Sequence, residues 1–157
     1  MKKTLIGGII QNQYLAAIRI LGVADRPGIA ATVLAALGEE EISAQFIVQL
    51  IDLHHQNHIC ICIDRDTLEV ARLRAEAAAN IIGAQSVEYI PEASLISIFG
   101  PDFRERPGIA GDMFNALAQS NINILAISTS ISTISCVIEA QHLDAAAEAI
   151  RNTFQLP

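Results

Sequence analysis

The sequence is poor in aromatic residues and in positive charge. It contains no Trp, two Tyr and five Phe, so aromatic residues make up 4% of its 157 residues. Its ten Lys and Arg are outnumbered by 17 Asp and Glu, which gives a net charge of −7. Surfaces that bind nucleic acid usually combine a cationic groove with aromatic stacking platforms. We therefore predict that nucleic acid is not a partner.

Long apolar runs and an even set of cysteines are also missing. No stretch approaches the ~20 continuous apolar residues that span a bilayer. The apolar run near the N-terminus stops at the polar residues 11–13 without a small-residue cleavage site, so we do not expect an export signal. Three cysteines are typical of free thiols in a reducing compartment. Hydrophobic residues nevertheless form 52% of the chain, so we predict a folded cytoplasmic protein without membrane contact.

What the chain does contain is an internal repeat. The segment Arg-Pro-Gly-Ile-Ala at 26–30 recurs at 106–110, 80 residues later. Without a gap, 26–49 and 106–129 are identical at nine of 24 positions. Self-similarity at a fixed offset indicates two copies of one structural unit. In each copy Pro-Gly stands where a helix would begin, and apolar residues follow at helical spacing.

The order of periodicities is the same in both copies: a strand, a helix, two strands and a second helix. The first copy closes with a strand at 84–90, whereas the second has none, and a surplus strand-like segment stands at 5–10. We therefore predict an α+β fold of two ferredoxin-like βαββαβ units, each with its helices on one face of an antiparallel sheet. The first unit, 14–91, is predicted to be inserted within the second, 92–157 plus 4–11.

Local signals predict where individual helices begin and end. Gly38 is expected to end the first helix in the left-handed conformation. Asp66 with Glu69 is expected to form a capping box at the start of the second helix.

Two segments resemble the C-terminal regulatory half of aspartate kinases, which carries tandem ACT domains. They are ILGVADRPG at 20–28 and NILAISTS at 123–130, and the resemblance covers almost the whole chain. It implies a homodimeric allosteric module that senses threonine or lysine and controls a separate kinase domain in aspartate-family amino-acid biosynthesis. The chain itself is not expected to transfer phosphate, because it has no Walker-type glycine-rich loop and its only lysines are Lys2 and Lys3.

The segment at 25–30 has the chemistry to bind a free amino acid. A helix N-terminus offers unpaired N–H donors to a carboxylate, and Gly28 allows close approach. Asp25 would accept an ammonium or hydroxyl group. Gln49 is added by the resemblance, as a strand glutamine that contacts threonine. The candidate effector-binding residues are Asp25, Arg26, Pro27, Gly28, Ile29, Ala30, Gln49, Asn123 and Ile124.

Each of these polar residues has an alternative role. Asp25 alternatively caps the first helix, Gln49 is a polar residue of an edge strand, and Asn123 is a turn residue. No catalytic residue and no cofactor is expected, and the predicted ligand is L-threonine, L-lysine or both.

The second copy differs in its loop, which is two residues longer. Its second-site candidates are Asp102, Gly108, Ile109 and Ser130. Many lysine-responsive members of the family have a glutamate after the Ser-Thr-Ser segment, where this chain has Ile131. Because an apolar side chain cannot hold an ammonium group, threonine is the expected effector.

A cluster of His and Cys residues at 54–62 allows a zinc site as an alternative. On a strand, however, His58, Cys60 and Cys62 share one face and Ile residues the other, which favours a strand buried on both faces. Two further functions stay open: a free-standing ACT sensor that regulates another protein, and a small hydrolase, for which no convincing nucleophile and base are present. RNA binding would require aromatic residues on the sheet.

Overall fold

The computed structural model describes residues 2–101 and 103–157. Its strands and helices in chain order are β1 Gly8–Ala24, α1 Ile29–Gly38, β2 Phe46–Ile51, β3 Gln56–Asp64, α2 Leu68–Ile82, β4 Ser86–Phe99, α3 Ile109–Gln119, β5 Ala126–Thr129, β6 Thr133–Glu139 and α4 Leu143–Thr153. The strands follow the hydrogen-bonded order β2-β3-β1-β4-β6-β5. The predicted α+β fold with antiparallel strands is confirmed.

The chain divides into two compact units. The first unit is Tyr14–Glu92, and the second comprises the chain up to Gln13 together with Ala93–Pro157. These limits lie beside the predicted ones, 14–91 and 92–157 plus 4–11.

Two strands are much longer than predicted. The sequence indicated that the segments 5–10 and 84–90 are separate from the first strand of the following copy, but β1 and β4 each run through such a segment and that strand. The prediction was wrong because the polar residues 11–13 and Pro91 resemble turn signals. In the structure Gln11, Gln13 and Pro91 lie exposed within the strands, where polar side chains are solvated and a proline is tolerated if its position needs no N–H donor.

The core of the first unit lies between one face of its sheet and the helices α1 and α2. In β3, the Ile residues at 59, 61 and 63 are at most 2% exposed and pack with buried residues of β1, α1 and α2. Cys60 and Cys62, on the opposite face, are buried as well. The prediction that this strand is buried on both faces is therefore confirmed.

The second unit has a separate core between β4, β6, α3 and α4. Its apolar helical stripes include Met113 and Leu117 in α3 and Ile150 in α4, all fully buried. Ile6 joins this core with 1% exposure. The backbone N–H of Ile6 donates to the carbonyl of Gln155 at 3.0 Å, and that of Gly7 donates to the carbonyl of Phe99 at 2.7 Å. The N-terminal segment therefore pairs with the second unit, as the sequence predicts.

The first helix does not end as predicted. Gly38 is its last helical residue and does not have a positive φ. The left-handed residue is Glu41, with φ of 58°, and the N–H of Ile42 reaches back to the carbonyl of Leu37 at 3.1 Å. The second unit repeats this turn at Asn121, with φ of 57°. A positive φ is therefore required three residues after Gly38, at a position whose side chain gave no signal.

The start of α2 also differs from the predicted capping box. Asp64 accepts from the N–H of Asp66 at 3.1 Å, and Thr67 donates to the carbonyl of Asp64 at 2.7 Å. A short 3₁₀ turn at Arg65–Thr67 thus leads into the helix. None of the helices in the described residues has both the length and the apolarity that a bilayer crossing requires.

The burial pattern predicts how two leucines contribute to stability. Leu37 is 1% exposed in the core of the first unit, whereas Leu73 on α2 is 70% exposed. We expect Leu37→Ala to lower the free energy of unfolding by about 2–5 kcal/mol because it leaves a cavity. The matched change Leu73→Ala should alter it by less than about 0.5 kcal/mol. Urea unfolding measures both, and equal losses would contradict this assignment of the core.

Candidate functional site

The loop between β1 and α1 forms one side of the candidate site. The pairing of β1 with β3 shifts register between Ile20 and Val23. After β1 the N–H of Asp25 donates to the carbonyl of His55 at 3.1 Å, so the hairpin between β2 and β3 holds the loop in place. Residues 25–28 are all exposed. The loop is therefore both anchored and accessible.

The N-terminus of α1 opens onto this loop. Gly28 has φ of 93°, and apart from its chain neighbours no atom of the described residues lies within 4 Å of the place where its Cβ would be. The first N–H group of α1 that donates to a backbone carbonyl is that of Thr32, which donates to the carbonyl of Gly28 at 3.0 Å. The N–H groups before it are the ones that a helix leaves without an intrahelical acceptor. Together with the helix dipole, these donors favour an anionic group such as a carboxylate.

Asp25 does not cap this helix. The residue at the N-cap position is Gly28, and no side chain among the described residues caps the helix. The carboxylate oxygen Oδ1 of Asp25 instead accepts from the Nδ2 of Asn57 at 3.0 Å. The alternative that Asp25 is merely a cap is therefore wrong.

Asn57 connects the two main polar candidates. Its Oδ1 accepts a short hydrogen bond from the Nε2 of Gln49, while its Nδ2 donates to Asp25. Gln49 of β2 lies opposite Ile59 of β3. Asn57 lies two residues before Ile59 in the same strand. The structure thus brings Asp25 and Gln49 to one network, in which both side chains are exposed and Asn57 is 0% exposed.

Asn57 was missed by the sequence reasoning, although a signal was present. The strand alternates so that Asn57, Ile59, Ile61 and Ile63 share one face. A polar residue in line with three buried Ile residues has to find hydrogen-bond partners, because an unpaired buried amide is costly. This requirement points to a specific network rather than to a solvated strand end.

His58 fixes the other edge of the loop. Its Nδ1 accepts from the backbone N–H of Gly22 at 3.2 Å, and its Nε2 lies 2.7 Å from the Oδ2 of Asp52. Because Nδ1 accepts, the neutral ring carries its proton on Nε2 and donates it to Asp52. Asp52 also accepts from the N–H groups of His54 and Gln56. The His58 hydrogen bond is the main cause that lowers the pKa of Asp52 to about 2.

The other first-loop candidates have different surroundings. Arg26 donates to the carbonyl of Ile82 at 3.1 Å. The side chain of Ile29 is 3% exposed and belongs to the core, so only its backbone is available to a ligand. Ala30 is partly buried against the same core, and Pro27 is exposed.

Asn123 and Ile124 lie in the second unit, on the segment before β5. Asn123 is exposed, and Ile124 is partly buried against the core of that unit. Their role in effector binding stays a prediction.

The second unit has a cavity at the equivalent helix N-terminus, with a volume of about 260 Å³. It is lined by Phe103, Arg104, Arg106, Gly108, Ile109, Ala110, Thr129, Ser130 and Ile134. Three second-site candidates, Gly108, Ile109 and Ser130, therefore lie together, while Asp102 falls outside the described residues. The described lining carries two arginines and no acidic residue. The two copies thus share the left-handed turn at Gly28 and Gly108, and the second loop adds Arg104 to the acid and arginine that both loops carry.

The cysteines do not form a metal site in the described parts of the chain. No three His, Cys, Asp or Glu side chains within residues 2–101 and 103–157 are grouped to hold a metal ion. Cys60, Cys62 and Cys136 are buried free thiols. Burial raises the pKa of Cys136 to about 12, and a hydrogen bond with Cys60 together with burial raises that of Cys62.

Comparisons with known proteins agree on one family. The ACT domain family model matches residues 96–154. An aspartate kinase of Pseudomonas fluorescens is 33% identical over 156 residues, which is 99% of this chain but only 38% of the relative's length. The regulatory subunit of aspartate kinase from Thermus flavus is 30% identical with a TM-score of 0.87, and the match covers 96% of this chain and 99% of that one. Aspartate kinase from Synechocystis is 29% identical with a TM-score of 0.90, covering 97% of this chain and 28% of that one.

The Asp52–His58 contact predicts a pH dependence of stability. The folded-state pKa of Asp52 is about 2 against an ordinary 3.8, so its carboxylate stabilises the fold above the ordinary pKa. That contribution is lost as pH falls from about 4 to about 2. We expect Asp52→Asn to destabilise the protein at neutral pH and the difference from wild type to shrink across this window.

Urea unfolding between about pH 7 and pH 2 measures this difference. The variant His58→Phe should remove most of the pH dependence that Asp52 gives to the free energy of unfolding, because phenylalanine cannot make the His58 hydrogen bond, which is the largest cause of the shift. A difference between wild type and Asp52→Asn that stays constant down to pH 2 would show that the contact does not perturb Asp52.

Proposed function

The chain belongs to the aspartate kinase family and corresponds to its regulatory region; from this premise we propose that it binds L-threonine at the loop between β1 and α1 and thereby regulates an aspartate kinase. The observation that carries the proposal is the position of Asp25 beside the open N-terminus of α1. Helix N–H donors and a carboxylate at neighbouring places suit the two charges of a free amino acid.

Each group of threonine has a counterpart in the first unit. The ligand carboxylate would bind the N–H groups of the first turn of α1, where Gly28 leaves space. The ligand ammonium would bind Asp25, which Asn57 holds at 3.0 Å. The ligand hydroxyl would donate to Gln49, whose own amide donates to Asn57.

The number of carboxylates favours threonine over lysine. The network around Asn57 joins one carboxylate, Asp25, to two amides. Threonine needs one carboxylate for its ammonium and a polar group for its hydroxyl, whereas lysine needs a second carboxylate for its side-chain ammonium. Asp52 is engaged by His58 at 2.7 Å. The exposed apolar residue Ile131 in the second unit supports the same choice.

In this proposal the chain acts on catalysis without taking part in it. Effector binding would favour one arrangement of a homodimer, and this arrangement would inhibit the kinase domain or subunit that phosphorylates aspartate from ATP. A coupling free energy of about 1–3 kcal/mol would change the affinity of the coupled site by about 5–150-fold. The family relation supports a kinase partner, because the chain matches regulatory subunits over nearly their whole length.

Thermal unfolding with added amino acids tests the proposal. A ligand that binds only the folded state at about 100 times its Kd stabilises it by about 2.7 kcal/mol. We expect the unfolding midpoint to rise with L-threonine and not with L-lysine. Asp25→Asn should weaken threonine binding by about 10-fold or more, because it removes a charge-assisted hydrogen bond.

Glu105→Gln is the matched control, since Glu105 lies 80 residues after Asp25 in the second copy and is also exposed. It should bind threonine like wild type. A midpoint that rises with lysine alone would overturn the choice of effector, and unchanged binding by Asp25→Asn would overturn the site.

A further inference from the structure

We infer that Asn57 is a positioning residue that makes the first-unit site selective for amino acids with a hydroxyl on the side chain. This inference rests on the proposed function and names what sets its specificity. Asn57 is 0% exposed on β3 and contacts both polar side chains of the site. Asp25 and Gln49 would touch the ligand, whereas Asn57 acts through them.

The amide of Asn57 has one favourable orientation. Its Nδ2 donates to the Asp25 carboxylate, and its Oδ1 accepts from the Gln49 amide. A flipped amide would place its oxygen against the carboxylate and its NH₂ against the NH₂ of Gln49. Both contacts would be repulsive, and a buried polar group left without partners costs about 1–3 kcal/mol. The two exposed neighbours therefore fix Asn57, and Asn57 in turn fixes them.

This orientation determines which atoms remain for a ligand. The Nε2 of Gln49 donates to Asn57, so the Oε1 of Gln49 is the atom that can accept from a ligand. The Oδ1 of Asp25 accepts from Asn57, and its Oδ2 is the second acceptor that a ligand can use. Both side chains thus offer acceptors. The site matches a ligand with two donors, an ammonium group and a hydroxyl group.

Valine is the discriminating comparison, because it has the shape of threonine with a methyl group in place of the hydroxyl. A methyl group against the Gln49 oxygen would leave that acceptor unpaired. Sites built to hydrogen-bond a hydroxyl reject analogues that lack it far better than apolar pockets reject an extra methylene. Gln49 is exposed, so we expect a moderate preference of about 10-fold for threonine over valine, the effect of one hydrogen bond.

Two variants separate the two hydrogen bonds of Asn57. Asn57→Leu has similar size and removes both bonds. Asn57→Asp can still accept from Gln49, but its carboxylate would face that of Asp25. We expect Asn57→Leu to lose most of the preference for threonine over valine. Asn57→Asp should keep the preference while binding both amino acids more weakly.

Calorimetric titration of wild type and variants with L-threonine and L-valine measures affinities and their ratio. Ser97→Ala is the control, because Ser97 is also a buried polar residue, 3% exposed and bonded to Ser135 at 2.6 Å in the second unit. It should lower stability without changing the ratio. If Asn57→Leu is less stable yet keeps the wild-type ratio, Asn57 has only a structural role and the inference is overturned.

A second measurement needs no ligand and tests whether Asn57 holds the side chain of Gln49 in place. The side-chain NH₂ signal of Gln49 in a ¹⁵N–¹H spectrum should shift in Asn57→Leu and stay in place in Ser97→Ala. If wild type binds neither amino acid, the proposed function and the selectivity both fail. If wild type binds threonine over valine but the Gln49 signal is the same in Asn57→Leu, only the positioning by Asn57 is wrong.

Discussion

Burial of one face of β3 against α1 and α2 is the constraint on which the first unit depends. Three Ile residues fill this face at positions 59, 61 and 63, and each is at most 2% exposed. The same alternation places Asn57 at the end of the row, where the apolar core meets the loop after β1. The hydrophobic packing of the strand thus sets the position of an amide that would otherwise be free to move. The packing of the core therefore fixes the position of Asn57, to which Asp25 and Gln49 are hydrogen-bonded.

The repeat and its hydrophobic stripes allowed most of the fold to be predicted. Pattern and length specify which face of a helix is buried, so Leu37 and Leu117 are fully buried as expected. The pairing of the N-terminal segment with the second unit followed from counting strands. The continuity of β1 and β4 was not predictable, because strands form through partners distant in sequence and a polar stretch or a proline does not reveal whether such a partner exists.

The candidate site was predictable in its chemistry but not in its connections. Asp25 and Gln49 were identified by residue type, position and family resemblance, and the structure joins them to one network. Their connection through Asn57 depends on a hydrogen bond across 32 residues and another across eight, which no local pattern encodes. The contacts of His58 with Gly22 and Asp52 were not predicted either. A histidine near cysteines in sequence suggests a metal ligand more readily than a hydrogen-bond partner of the backbone.

The two glycines before α1 and α3 show what the duplicated loop cannot change. Gly28 and Gly108 have φ values of 93° and 91°, and both have open space where a side chain would begin. The restriction at these positions is one of handedness and not of room, because L-residues pay a conformational cost of roughly 1–2 kcal/mol in left-handed backbone. Asp25 and Arg26 before the first glycine correspond to Glu105 and Arg106 before the second, while the second loop is two residues longer. Chirality therefore constrains the backbone turn at both glycines, whereas the length and the side chains of the two loops can differ.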